Sequence, residues 1–181
     1  ELLQLTNNPI ISLPASISEL TNLLELRISN NSISTLPVDI GYLTNLIRLD
    51  AKNNALITIP GSIGSLSNLN YLFLENNQIN MLPDTFGDLS NLIELKLQNN
   101  QLEILPESFG GFGELLHLYL NNNQLSTLPD NFGTMSSLKI LRLNNNSLSN
   151  IPVSISEMEN LENLWLKNNQ INSLPDEIGL L

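Results

Sequence analysis

The sequence predicts an α/β solenoid, in which eight stacked repeats each supply one short parallel strand and one short helical or irregular turn. Three observations lead to this prediction. Proline recurs every 23 residues from Pro14 to Pro175, and a pair of asparagines recurs with the same period. Each pair follows a stretch in which apolar and variable residues alternate, as they do in strands. A unit this short cannot bury its apolar side chains alone, so successive units must stack on one another.

The repeating unit reads LxxLxLxNNxLxxLPxxIGxLxN, and eight such units account for all 181 residues as one domain. The first unit lacks its first position and the last lacks its final two, so we expect the chain to be a fragment of a longer solenoid. The alternative is that a neighbouring chain covers each end through end-to-end self-association. The units are residues 1–22, 23–45, 46–68, 69–91, 92–114, 115–137, 138–160 and 161–181.

The LxxLxL segment is the predicted strand. Its leucines, such as Leu95 and Leu97, face a core and the residues between them face solvent, because successive side chains of a strand point to opposite sides. The Leu-Pro step that follows favours an extended backbone, since proline restricts the residue before it. We expect the IGxL segment to form the outer turn. This turn is wider than the strand spacing of about 4.8 Å, so the stack should bend with its strands on the concave face.

The second asparagine of each pair is predicted to form a buried ladder. It follows the strand, where the chain turns inward and leaves backbone groups without partners in the sheet. A carboxamide both donates and accepts hydrogen bonds, so stacked copies can satisfy those groups. The alternative, that the pairs only mark surface turns, does not explain eight occurrences in register. The predicted ladder consists of Asn8, Asn31, Asn54, Asn77, Asn100, Asn123, Asn146 and Asn169.

Composition argues against several functional classes. The chain has 18 Asp and Glu against 7 Lys and Arg, a net charge of −11, which argues against nucleic acid as a partner. No apolar run is long enough for insertion into a membrane. The lack of cysteine and the single histidine, His117, exclude thiolate nucleophiles and sites that need two histidines. We therefore predict that the chain is not an enzyme and needs no cofactor or metal.

The repeat pattern closely resembles that of the leucine-rich repeat superfamily along the whole chain. The LPxxIGxLxNL variant is similar to that of Scribble- and Erbin-type scaffolds, Ras suppressor protein, plant intracellular Ras-group repeats and many bacterial repeat proteins. The resemblance implies a right-handed, horseshoe-shaped solenoid with a parallel β-sheet on its concave face and short turns on its convex face. It also implies binding of proteins, in some members a small GTPase. The chain lacks the cysteine-rich caps that are usual in extracellular members, which favours a soluble cytoplasmic protein over a secreted one.

The charges are unevenly placed within the repeat. All seven Lys and Arg lie in the first nine positions of their units together with six acids, whereas the other fourteen positions hold twelve acids and no base. The strand side is therefore near neutral and the outer side is strongly acidic. Two explanations remain open. Acids suit the first turn of an outer helix and promote solubility, or the strand side faces a partner.

Aromatic and basic residues interleave along the concave face. The middle variable position of the strand is occupied in units four to eight by Phe73, Lys96, Tyr119, Arg142 and Trp165. Exposed rings and arginines are typical of binding hot spots, but aromatic residues also suit strands, and cation–π pairs within the row can satisfy one another. The predicted partner-binding residues are Arg27, Arg48, Lys52, Tyr71, Phe73, Lys96, His117, Tyr119, Arg142, Trp165 and Lys167.

These observations favour a non-enzymatic module that binds a protein or peptide on its concave strand face. Two alternatives remain. The first is recognition of glycans or cell surfaces, with Tyr119 and Trp165 as stacking platforms for sugars. The second is a targeting domain of a larger enzyme, which changes the role of the whole protein but not the binding role of this domain.

Overall fold

The computed structural model describes residues 1–181 as one continuous stack of repeats. Eight strands of three residues each form a single parallel sheet, and their order in the sheet is their order in the chain. Each strand pairs with the strand 23 residues away, so Leu26 lies between Leu3 and Leu49. The predicted solenoid of eight parallel strands is confirmed. The strands are β1 Leu2–Gln4, β2 Glu25–Arg27, β3 Arg48–Asp50, β4 Tyr71–Phe73, β5 Glu94–Lys96, β6 His117–Tyr119, β7 Ile140–Arg142 and β8 Asn163–Trp165.

A short 3₁₀ helix forms the outer segment of every unit. Six of the eight helices begin directly after the repeating proline, whose extended backbone, with φ −70° and ψ 149° at Pro14, separates the helix from the preceding segment. No helix is both long enough and apolar enough to cross a membrane. The helices are Ala15–Glu19, Ile40–Tyr42, Gly61–Ser65, Asp84–Asp88, Glu107–Gly111, Phe132–Thr134, Val153–Glu157 and Asp176–Leu180.

One apolar core of 43 buried residues runs through the whole stack. The middle residue of each strand is a leucine that points into this core, and Leu26 and Leu118 have no exposed surface. In the outer layer, the rings of Phe86, Phe109 and Phe132 stack in consecutive units, with centroids 6.2 and 6.1 Å apart. The units therefore share a single core, as expected for repeats that cannot close one alone.

The close approach of neighbouring outer segments explains the glycine of the IGxL pattern. A Cβ at Gly87 would overlap the backbone carbonyl oxygen of Ser108 in the next unit, and a Cβ at Gly133 would overlap that of Ser154. Neighbouring 3₁₀ helices thus approach backbone to backbone at this point. At Gly87 and Gly133 glycine allows this close packing, because a Cβ there would require the neighbouring helix to move.

Seven of the eight second asparagines, from Asn31 to Asn169, join consecutive units through hydrogen bonds. The prediction is wrong for Asn8, which is exposed and bonds only to Leu5 and Thr6 of its own unit, because no unit precedes it in the stack. Asn100 Nδ2 donates to the carbonyl oxygens of Leu97 in its own unit and Leu74 in the unit before, both at 3.0 Å. Its Oδ1 accepts from the backbone N–H of Ile79, also at 3.0 Å. The corresponding asparagines from Asn31 onwards make the same three contacts. These side chains supply partners to backbone groups that the sheet leaves unpaired.

The first asparagine of each pair forms a second ladder, which the sequence did not predict. All eight of these residues have a left-handed backbone, with φ between 53° and 61°. Their exposed side chains bond in series, as Asn99 Nδ2 donates to Asn76 Oδ1 at 2.6 Å and Asn122 Nδ2 donates to Asn99 Oδ1 at the same distance. Asparagine suits this position because it tolerates a positive φ better than most residues and can bond to its copies.

Candidate functional site

Three rows of side chains point outward from the sheet, because leucines between them face the core. We call this surface the strand face. Its first row comes from the first residue of each strand, its middle row from the third residue, and its last row from the second residue after the strand. In the fourth unit these are Tyr71, Phe73 and Glu75. All eleven predicted partner-binding residues lie in these three rows.

Phe73 lies in the middle row, but two cations cover its ring. The guanidinium carbon of Arg48 lies 4.4 Å from the ring centroid and Lys96 Nζ lies 4.5 Å from it. The Tyr71 ring meets it edge to face, with centroids 6.4 Å apart. The expectation that this ring is exposed to solvent is therefore wrong, since only 5% of Phe73 is accessible. The Phe73 ring lies against both cations and is covered by them. Its position in the row alone does not reveal this.

The middle row continues as an alternating stack of cations and rings. Lys96 Nζ lies 5.6 Å from the Tyr119 centroid, and the Arg142 guanidinium carbon lies 5.3 Å from the same centroid. Arg142 is also 4.7 Å from the Trp165 ring. Trp165 is 48% exposed and Tyr119 is half-buried. The rings that were predicted to face solvent in units six and eight do so, and Arg142 is held between them.

Most cations of the strand face are paired with a carboxylate of the same face. Asp50 is almost fully buried and lies between two of them, which lowers the energetic penalty of its burial. No carboxylate lies within 4.0 Å of the side-chain nitrogens of Arg142 or Lys167. The pairs are Arg27 with Glu25 at 2.6 Å, Arg48 with Asp50 at 3.7 Å, Lys52 with Asp50 at 4.0 Å and Lys96 with Glu94 at 3.1 Å.

Glu75 is a buried carboxyl group in the last row, with 9% of its surface exposed. Its Oε2 atom is buried and has no hydrogen-bond partner. Burial raises the pKa of this carboxyl above its ordinary value of 4.5, and the nearby Asp50 adds to the increase. A backbone hydrogen bond and the charges of Lys96 and Lys52 lower its pKa and only partly offset burial.

Other polar atoms of the strand face are also buried without a partner. They are Oε1 of Gln98 and Oδ1 of Asn144 in the last row, and the Nε atoms of Arg48 and Arg142. Sequence reasoning missed Gln98 and Asn144, because uncharged amides do not stand out in an asparagine-rich chain. The sequence signal that could have identified them is their repeat position, the second after the strand, which the predicted contacts Lys52 and Lys167 also occupy. Because these atoms are buried, each leaves hydrogen-bonding capacity unused and costs free energy.

The groups on the strand face are those typical of binding surfaces. The strand face offers rings, cations and unpaired polar atoms on a rigid sheet. No group of three or more His, Asp or Glu side chains is placed to hold a metal ion. His117 lies half-buried in the first row and forms no ion pair with a carboxylate. These groups are suited to contact another molecule.

Family models match most of the chain. A leucine-rich repeat region model matches residues 58–143, and a second leucine-rich repeat model matches residues 26–79. A third, for a single leucine-rich repeat, matches residues 137–158 and 160–181. The chain belongs to the leucine-rich repeat superfamily. The resemblance to the Scribble, Erbin and Ras-group subtypes stays a prediction. No curated protein sequence matches this leucine-rich repeat chain.

Solved structures of leucine-rich repeat proteins share the fold. The ectodomain of the Arabidopsis thaliana receptor kinase GASSHO1/SCHENGEN3, in complex with CASPARIAN STRIP INTEGRITY FACTOR 2, is 33% identical with a TM-score of 0.90, covering 99% of this chain and 22% of that one. A Leptospira interrogans leucine-rich repeat protein is 30% identical with a TM-score of 0.75, covering 99% and 52%. The plant peptide hormone receptor RGFR1, in complex with RGF2, is 29% identical with a TM-score of 0.72, covering 94% and 32%. The chain thus spans about half or less of each of these relatives.

Proposed function

We propose that this leucine-rich repeat chain is a non-enzymatic module that binds a protein or an extended peptide on its strand face. The observation that carries the proposal is the stack of Tyr119, Arg142 and Trp165, in which a cation and two rings stand at the surface of a packed sheet. Aromatic residues and arginine are the commonest hot-spot residues of protein interfaces. The relatives GASSHO1/SCHENGEN3 and RGFR1 were solved in complex with CASPARIAN STRIP INTEGRITY FACTOR 2 and RGF2, which supports the same class of ligand here.

The size and rigidity of the strand face suit this role. Seven strand spacings of about 4.8 Å give a surface about 34 Å long, enough for a standard interface of about 800 Å² per partner. The core and the two asparagine ladders hold the strands in place before binding. Little conformational entropy is therefore lost by this chain when a partner binds.

Recognition of glycans is less well supported by the same geometry. Stacking on a sugar requires a free aromatic face, but Lys96 and Arg142 from the two neighbouring units lie over the Tyr119 ring. Trp165 keeps a larger exposed fraction. One ring is a weaker platform than a row of them. Binding of a small GTPase, end-to-end self-association and a role as the targeting domain of a larger enzyme stay predictions from the sequence.

A random 12-residue peptide library displayed on phage, selected on the immobilised chain, tests the proposal. Binding of the selected peptides is then measured for Trp165→Ala and for the pair Lys96→Glu with Arg142→Glu. We expect about tenfold weaker binding for the first variant, which loses the exposed ring, and no measurable binding for the second, which reverses two charges of the row of cations and rings.

The matched control is Val38→Ser, which removes an apolar side chain that is 73% exposed on the outer side. This variant should bind every selected peptide as the unchanged chain does. Peptides that are insensitive to all strand-face substitutions, or a library that yields no binder, would contradict the proposal.

A further inference from the structure

Charge is not uniform along the strand face. Its four carboxylates all lie in units two to five, where they accompany Arg27, Arg48, Lys52 and Lys96. The strand face of units six to eight contains no acid and two cations. These cations, Arg142 and Lys167, are the ones without an ion-pair partner. One end of the surface is thus neutralised internally and the other carries about two uncompensated positive charges.

The rings on either side of Arg142 hold its side chain in position for binding a ligand. Its guanidinium group lies 5.3 Å from the Tyr119 centroid and 4.7 Å from the Trp165 ring. Arginine can pack its planar group against aromatic rings and still present the N–H donors at its edge to a ligand. The Nε atom is buried and has no hydrogen-bond partner. The side chain is therefore held in place before binding, and a ligand can reach its two terminal nitrogens, which make no hydrogen bond within the chain.

The neighbouring side chains suit a small anionic group with an apolar flank. Asn144 and Asn163 are neutral, and Trp165 offers an apolar surface that is about half exposed. Arginine binds carboxylates through paired hydrogen bonds, and Lys167 in the next unit adds a second charge. The rest of the chain carries a large negative charge, which repels a long acidic segment. A single acidic residue among neutral ones fits these conditions best.

We propose that Arg142, Lys167, Tyr119 and Trp165 bind one carboxylate side chain of the partner, an aspartate or glutamate next to an apolar residue that packs on Trp165. This inference rests on the proposed function and adds the chemical identity of the group that is recognised. It also positions the partner on the strand face. The carboxylate lies over units seven and eight, and the rest of the bound segment lies over units two to five, where the charges of the face are paired.

A double-mutant cycle with the peptides selected from the phage library tests the inference. One arm replaces the peptide's acidic residue by its amide, and the other replaces Arg142 and Lys167 by glutamine. We expect each change alone to weaken binding about tenfold or more, because a charge-assisted hydrogen bond is lost. The two changes together should be little worse than either one, since they remove the same interaction.

Control variants separate this site from a general effect of charge. Lys139→Gln removes a cation that lies outside the three rows and is already paired with Glu162 at 3.5 Å, and it should leave the affinity unchanged. Lys167→Gln alone changes an exposed side chain, so its effect on binding does not depend on folding. A peptide carrying phosphoserine in place of the acidic residue tests for a phosphate site, and binding more than tenfold tighter would overturn the assignment to a carboxylate.

The outcomes distinguish the two proposals. If the selected peptides are neutral and bind Trp165→Ala more weakly than the unchanged chain, the carboxylate site is overturned and the proposed function stands. The site would also be overturned if the exchange of the acidic residue for its amide weakened binding to the double glutamine variant as much as binding to the unchanged chain. Binders that ignore every strand-face substitution would count against both.

Discussion

Glu75 illustrates how one side chain of the strand face is affected by its surroundings. It is almost fully buried, one of its oxygens has no partner, and its pKa is raised mainly by burial. A carboxyl with a raised pKa binds a proton more tightly in the folded chain than in the unfolded one. Its ionisation therefore destabilises the fold as the pH rises from the ordinary value of 4.5 through the raised pKa.

Replacing Glu75 by glutamine should stabilise the chain at pH 7. The amide keeps the shape of the side chain and removes the charge that burial disfavours. The gain should shrink as the pH falls and disappear below the ordinary pKa of 4.5, where the unsubstituted carboxyl is protonated in both states. Urea unfolding midpoints of both chains from pH 4 to 8 measure this difference. A variant whose loss of stability grows as the pH rises would instead show that Glu75 stabilises the fold as an anion.

At the scale of the repeating element, the two asparagines of each pair have different physical roles. The buried ladder satisfies backbone groups of two consecutive units. The exposed ladder joins side chains to one another beside a left-handed backbone. Neighbouring positions with the same residue type should therefore respond differently to substitution.

Asn100→Ala should lower the free energy of unfolding by about 1–3 kcal/mol, because it leaves the Leu74 and Leu97 carbonyl oxygens and the Ile79 N–H without partners. The matched control is Asn99→Gly, which removes two exposed side-chain bonds but accepts the φ of 59° without strain. We expect it to cost less than about 1 kcal/mol. Urea denaturation of the two variants compares the ladders directly, and equal losses would contradict the distinction.

The element scale also shows which features were predictable. Period and alternation are enough to place the strands, the outer turns and the buried asparagines, because each follows from local pattern repeated in register. They are not enough to show that Arg48 and Lys96 cover Phe73, or that Glu75 lacks a partner. Those facts depend on the rotamers of long side chains from neighbouring units. A repeat pattern specifies which residues are adjacent but not how their side chains fold over one another.

Over the whole molecule, stability should be graded along the stack. Interior units have neighbours on both sides, and Leu72, Leu95 and Leu118 have no exposed surface. The equivalent Leu3 and Leu164 in the first and last units are only half-buried. In stacked repeats each interface adds to the stability of the units it joins. Opening of the outermost units therefore requires less free energy than opening of the central ones.

Amide hydrogen exchange followed by mass spectrometry on the 181-residue chain tests this gradient. Amides of β4, β5 and β6 should exchange most slowly and those of β1 and β8 most rapidly. The comparison is internally matched, because the same repeat position is read in every unit. Uniform protection from the first strand to the last would show that the stack opens only as a single cooperative unit.

The exposed asparagine ladder has a direction. Every side chain in it donates to the unit before it and accepts from the unit after it, from Asn30 to Asn145. The array therefore has chemically different poles, with an amide N–H at Asn7 and a carbonyl oxygen at Asn168. A duplicated unit inserted in the same orientation would preserve every link, whereas an inverted one would set donor against donor. The donor-to-acceptor order of the ladder therefore allows the stack to be lengthened by tandem duplication of units.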